Sequence, residues 1–328
     1  MDQENKVLRF GAAVILCAIV FRLLSGGILA PVVRLLQNDR AVALMMFLET
    51  GRSVRLAEDT PEQEWTAESP APELIATEPS PAPVFQAQDL DLVKLRSSVS
   101  WEPDLAGLLT EPVKLSLKSN APTVLILHTH ATESYTRQPG QNYTESGSYR
   151  TLDENYNLLR LGDELARKLE AAGIRVIHDR SLHDYPSYND SYAHARTSLK
   201  AYLEQYPSID LVLDIHRDAA DTSGGQLATH VSNGETEAAQ LMLVMGTGAN
   251  GQSHPNWRQN LSLALKLQVQ LERVFPGICR PLSLRGSRFN QDLHPNMVLV
   301  EVGAAGDTLE EALAAIDPLA QAIISLSG

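Results

Sequence analysis

Five short aliphatic runs constrain this chain more than any other feature. They lie at 123–128 ("TVLILH"), 174–178 ("IRVIH"), 210–216 ("DLVLDIH"), 241–246 ("LMLVMG") and 297–303 ("MVLVEVG"). Between the first two stands "TLDENYNLLRLGDELARKLEAAG", in which Leu158, Leu161, Leu165, Leu169 and Ala172 share one helical face and Gly173 supplies a C-terminal stop. Thr151 and Glu154 match a capping box at its start. Further helices are expected at 259–274 and 308–325. Strands alternating with helices predict an α/β fold, a single domain with a largely parallel twisted sheet flanked by helices. We expect it to occupy residues 101–328.

Polar residues fall at the ends of these runs. His128 and His130 follow the first, His216 ends "LVLDIH", and Glu301 sits inside "VLVEVG". In open α/β sheets the functional crevice lies at the carboxyl ends of the strands, so residues distant in sequence converge there. Imidazole and carboxylate together suit zinc, whose catalytic sites keep a position open for a water with a pKa lowered to about 7. A lone histidine at a strand end is more often a hydrogen-bonded structural residue. His178, His183, His194, His230, His254 and His294 are read that way. His128, still on the strand, is placed to orient the site from behind or to serve as an alternative ligand. Among the carboxylates, Glu154 is expected to cap a helix and Glu145 lies in the polar stretch "QNYTESGSY". A carboxylate buried in a core strand costs several kcal/mol unless paired, so Glu301 demands a partner.

Composition narrows the chemistry further. A net charge of -13 and a pI near 5.1, with no basic stripe, argue against nucleic acid as a partner. The two cysteines, Cys17 and Cys279, lie too far apart in character and position for a disulfide framework or a cysteine metal site. Any metal must be held by histidine and carboxylate.

The N-terminus opens with Lys6 and Arg9 and then runs apolar from Phe10 to Val33, broken by Arg22. A bilayer needs about 20 mostly apolar residues, and this run supplies them. Residues 1–36 are therefore expected to be a transmembrane signal anchor and 37–56 a short juxtamembrane helical segment. Residues 57–100 are expected to be a Pro/Glu/Ala-rich spacer, with no Lys or Arg between Leu56 and Val93. Residues 101–328 are then expected to lie outside the cytoplasm, on a single-pass protein of the cell membrane.

Four ordered motifs carry a family resemblance. "HTHATESY" at 128–135, "DIHRDAA" at 214–220, "HPNWRQNLSLALKLQ" at 254–268 and "RGSRFNQDLHPNMVLVEVGAAGDTLEEA" at 285–312 resemble the stage II sporulation protein P family of endospore-forming bacteria. More distantly, the strand-end histidines and the final glutamate resemble the zinc-dependent N-acetylmuramoyl-L-alanine amidases. The resemblance implies one zinc per chain on His130 and His216, with Glu301 as the catalytic acid-base group. The amidases take their metal carboxylate from the start of the helix after the first strand, which points to Asp153 or Glu154. The "HATE" spacing instead resembles the zinc carboxypeptidases, and on it we assign Glu133. The amidase "GHGG" loop is absent, leaving the choice between His128 and His130 open. The implied reaction is hydrolysis of the peptidoglycan amide between N-acetylmuramic acid and L-alanine. Arg217, Arg285 and Arg288 are candidates for binding the anionic stem peptide. The family acts in engulfment, with sporulation proteins D and M as implied partners. The alternatives are a zinc peptidase cutting the stem peptide or cross-link, and a non-catalytic wall-binding module.

Overall fold

The computed structural model describes residues 83–222 and 225–327. The expected anchor at 1–36, the juxtamembrane segment at 37–56 and most of the spacer lie outside the described residues. Among the described residues no helix is long and apolar enough to cross a membrane.

In chain order the strands are β1 (Leu95–Ser97), β2 (Val124–Leu127), β3 (Glu145–Gly147), β4 (Arg150–Thr151), β5 (Val176–His178), β6 (Leu211–Asp218), β7 (Asp221–Thr222), β8 (Gly225–Gln226), β9 (His230–Ser232), β10 (Glu237–Ala239), β11 (Leu241–Gly246), β12 (Leu282–Arg285) and β13 (Met297–Ala304). The helices are α1 (Leu105–Thr110), α2 (Leu158–Ala171), α3 (Ser191–Gln205), α4 (Trp257–Val274) and α5 (Leu309–Leu326). Seven strands form the main sheet in the order β1-β12-β11-β13-β6-β2-β5. All neighbours run parallel except β11 and β13. The expected α/β architecture is present, with β3–β4, β7–β8 and β9–β10 added as small hairpins.

Alternation along β2 divides the core. Val124 and Ile126 pack with leucines of α2, α4 and α5, whereas Leu125 and Leu127 pack with Ala195 and Leu199 of α3. The sheet is thus covered on both faces, which is why its inner strands read as mostly aliphatic runs.

Helix α2 buries Leu158, Leu161, Leu165 and Leu169 as its spacing requires, and Gly173 leaves it at φ +80°. Its start differs from the expected capping box. The helix begins only at Leu158, where the Asn157 side chain accepts from the Leu159 N–H at 3.0 Å. Thr151 belongs to β4, its N–H donating to the Thr132 carbonyl at 2.8 Å, and Glu154 pairs with Arg180. The chain before Leu158 is held in extended pairing and is not free to coil.

The folded unit also starts earlier than residue 101. Strand β1 pairs with β12 from Leu95↔Leu282 to Ser97↔Leu284, Asp89 pairs with Arg273, and Phe85 is buried. The spacer composition ends near Pro83, and the aliphatic residues that follow give the chain something to bury. A fragment beginning at 101 should therefore melt at least about 5 °C below one beginning at 83, since burying one phenylalanine alone is worth about 1.5–3 kcal/mol. Equal midpoints in a thermal scan of the two fragments would show that the segment adds no stability.

Candidate active site

Register places the first two groups. Glu301 on β13 lies directly opposite His216 on the parallel strand β6, so both side chains project from the same face. Leu127 at the end of β2 pairs with Asp214 of β6, and the chain then turns tightly, with the Glu133 N–H donating to the His130 carbonyl at 3.1 Å. That turn brings His130 and Glu133 to the same crevice.

Glu133 is buried with its two oxygens in different company. Oε2 lies 3.8 Å from His216 Nδ1 and accepts the Arg217 backbone N–H at 3.4 Å. Oε1 lies 3.4 Å from Arg217 Nη1 and 3.8 Å from Arg150 Nη2. On the other side of the imidazole, His216 Nε2 stands 3.0 Å from Asp214 Oδ1. This contact is an ion pair without hydrogen-bond alignment, and Nε2 has no hydrogen-bond partner. Asp214 itself is fixed by the Thr129 N–H at 2.8 Å and the Thr129 hydroxyl at 2.7 Å. The His130 ring stacks on Tyr188 at 4.5 Å and stands perpendicular to His216 at 5.3 Å and Tyr192 at 5.6 Å between centroids.

Charge balance in the crevice is unusual. Burial lowers the pKa of His130 to about 3, aided by the His216 charge, so its ring is neutral with lone pairs available. Burial would also lower that of His216, but Asp214, Glu301 and Glu133 overcome it and raise it to about 10. Burial raises Glu301 to about 8, assisted by the Glu133 and Asp218 charges and opposed by His216 and Arg217. Glu133 is also raised by burial, against the pull of Arg217, His216 and Arg150. The Glu301 residue as a whole is half-buried, yet its Oε2 is shut off from solvent.

Around the crevice His130 Nδ1 and Glu301 Oε2 are buried without a hydrogen-bond partner, as are the neighbouring Ser134 Oγ and Arg150 Nε. Buried groups left unpaired in one crevice mark a place for an ion or water. His130, His216 and Glu133 supply two imidazoles and a carboxylate, a donor set that suits zinc, and Asp214 behind His216 is the carboxylate that typically orients a ligating histidine. The residues fit the metal in kind, though His130 stands farther off than a closed ligand set requires. Among the described residues, the group of three whose donor atoms all lie within 4.8 Å of one another is instead His230, Glu237 and Glu311. His230 and Glu237 are exposed there, and one oxygen of Glu311 is taken by the cap of α5.

Several expected roles change. His128 cannot be an alternative ligand as placed, because Nδ1 donates to the Ile215 carbonyl at 3.0 Å and Nε2 is bonded to His178 Nε2 at 2.9 Å. It braces β6 immediately before His216. Arg217 is buried and fully engaged, with Nε on the Ser134 carbonyl (3.0 Å), Nη2 on the Tyr149 carbonyl (2.9 Å) and Nη1 beside Glu133. It holds the crevice wall and has no fork left for substrate. Arg285 is exposed at the end of β12 with Nε on Ser283 Oγ, and Arg288 lies 3.6 Å from Asp292, a carboxylate already bidentate to Arg196. Among the rival carboxylates, Glu145 pairs with Arg137, Asp153 bonds Asn155 and Glu154 pairs with Arg180.

Four residues at the crevice went unread in the sequence: Asp214, Arg150, Tyr188 and Tyr192. Asp214 had a signal, since a carboxylate two positions before a strand-end histidine shares its face. Arg150 arrives from the β3–β4 hairpin, Tyr188 from the short 3-10 turn Tyr188–Asp190 and Tyr192 from the first turn of α3. A groove of about 870 Å³ lies outside that hairpin, lined by Arg137, Tyr143, Asp153 and Tyr185, and none of His130, Glu133, His216 or Glu301 lines it.

The profile of a family described as stage II sporulation protein P matches residues 52–324. Stage II sporulation protein P of Bacillus subtilis (strain 168) is 28% identical over 199 residues, covering 57% of this chain and 47% of that protein. The chain therefore matches about half the length of this curated relative. Similar solved structures include the N-acetylmuramyl-L-alanine amidase of Mycobacterium smegmatis, at 14% identity and a TM-score of 0.36 over 63% of this chain and 98% of that one. Another is the N-acetylmuramoyl-L-alanine amidase of Clostridium difficile 630, at 19% identity and a TM-score of 0.36 over 63% and 97%.

Proposed function

We propose that this chain, which belongs to the stage II sporulation protein P family, is a zinc-dependent hydrolase of the cell wall in sporulation. The bond cut is the amide between N-acetylmuramic acid and the L-alanine of the stem peptide. The observation that carries this reading is the pairing of Glu301 and His216 on adjacent strands, with Glu133 3.8 Å from His216 and unpartnered polar atoms facing the crevice.

Held by His130, Glu133 and His216, zinc would polarise the scissile carbonyl and make water acidic enough to attack near neutral pH. Glu301 takes the proton from the attacking water and delivers it to the leaving amine, a double role open to a carboxyl placed opposite His216 on the neighbouring strand. Asp214 holds the His216 ring so that Nδ1 faces Glu133. Arg217 keeps Glu133 in place through its backbone N–H and its guanidinium. On the same reading residues 1–36 anchor the chain in the cell membrane with the hydrolase outside, and sporulation proteins D and M are its partners in engulfment.

The His130-x-x-Glu133 spacing also favours a second reading, a zinc peptidase cutting within the stem peptide. Mass spectrometry of sacculi digested by the full chain separates the two. We expect stem peptides released with a free L-alanine amino group, one zinc per chain, and loss of release on chelation. Cleavage inside the stem peptide, or purified protein without stoichiometric zinc, would overturn the amidase reading.

A further inference from the structure

Arg150 differs from Arg217 in that its guanidinium makes no close side-chain hydrogen bond, only a loose ion pair with Glu133. Its backbone is pinned on both sides to the turn that carries His130 and Glu133. The Tyr149 carbonyl accepts from the Ser134 N–H and from Arg217 Nη2, each at 2.9 Å, and the Thr151 N–H donates to the Thr132 carbonyl at 2.8 Å. The side chain leans over the crevice, with its guanidinium 4.2 Å from the centre of the Tyr188 ring and 27% exposed. Nη2 is 3.8 Å from Glu133, beyond hydrogen-bond distance, and the buried Nε has no partner. An arginine carries five donors in a planar fork. Arg217, Arg137 and Arg196 spend theirs on carbonyls or carboxylates.

An arginine whose guanidinium sits over an exposed tyrosine ring, at the mouth of a crevice in a strongly acidic chain, is suited to receive an anion. We propose that Arg150 determines specificity by pairing bidentately with a stem-peptide carboxylate close to the scissile amide. This rests on the peptidoglycan reading above and deepens it: the preferred substrate carries a free acid, not a primary amide, next to the first alanine.

The test uses binding, so that it does not depend on which bond is cut. Calorimetry with the zinc-loaded Glu301→Gln chain compares N-acetylmuramoyl-L-alanyl-D-glutamic acid with the same compound amidated at its α-carboxylate. The acid is expected to bind at least about tenfold more tightly, because hydrogen bonds to a charged partner are the strong ones. Adding Arg150→Gln should bring the ratio close to one, and Arg150→Lys should keep part of it by keeping the charge without the fork. No preference in the Glu301→Gln chain, or a preference untouched by Arg150→Gln, overturns the proposal. An equal loss of binding to both compounds also overturns it, since Arg150 is then only a brace for Glu133. Failure of the amidase reading would appear separately, in the products of the sacculus digest.

Discussion

Glu301→Gln is expected to lower turnover by about 10² to 10⁴ while zinc content stays near that of the parent. General acid-base catalysis is worth about that much, and glutamine keeps the shape of the side chain while removing its proton chemistry. Glu133, whose Oε2 lies 3.8 Å from His216 Nδ1, is taken as the carboxylate ligand, which leaves Glu301, opposite His216 on the next strand, for the proton transfer. A second readout comes from stability without metal. The Glu301 pKa is raised from 4.5 to about 8 in the fold, so the protonated carboxyl contributes stability that is complete below about pH 4.5 and is lost as pH rises through about 8. Glutamine has no proton to lose. The metal-free parent should therefore match the variant near pH 4.5 and melt below it at pH 9. A variant keeping most of its turnover is incompatible with the assignment. If it loses zinc as fully as a ligand variant does, Glu301 is a ligand and Glu133 becomes the first candidate for the base.

The parts of this fold that were legible are those buried on both sides. Val124–Leu127, Leu211–Asp218, Leu241–Gly246 and Met297–Ala304 lie inside a sheet covered by helices, and burial on both faces writes mostly aliphatic runs into the sequence, broken only where β6 and β13 carry the polar groups of the crevice. Hairpins of two or three exposed residues write nothing, and β1 follows so closely on the spacer composition that it reads as part of it. Helix α3 escaped because its buried residues are Ser191, Ala195 and Leu199, a stripe too small and too polar to mark a period. The site divides in the same way. His130, His216 and Glu301 could be located because strand ends converge in an α/β sheet. The roles of the arginines could not, because a strand-end guanidinium looks alike whether it meets substrate or, like Arg217, the carbonyls of Ser134 and Tyr149. Only the packing of the turn at 130–134 against the β3–β4 hairpin tells Arg217 from Arg150.

His216→Ala should show the deepest loss of metal. Its imidazole stands between two carboxylates, Glu133 at 3.8 Å and Asp214 at 3.0 Å, so alanine removes a ligand and also strands Asp214. Zinc occupancy and turnover should fall together, because the remaining groups hold the ion more weakly. Asp214→Asn keeps the ligand but weakens its support, and should cost about 10–100-fold in zinc affinity, measured by chelator competition. In the metal-free state His216→Ala leaves buried carboxylate charge uncompensated, a loss of about 3–5 kcal/mol for a broken buried pair. The sign follows from the raised pKa. Charged His216 contributes stability that is complete below about pH 6.5 and is lost as pH rises through about 10, so the gap in melting temperature should be widest in mild acid and narrow toward pH 10. If His216→Ala instead binds zinc as tightly as the parent, the ion is held elsewhere. The cluster of His230, Glu237 and Glu311 is then the place to look, and adding His230→Ala should abolish binding.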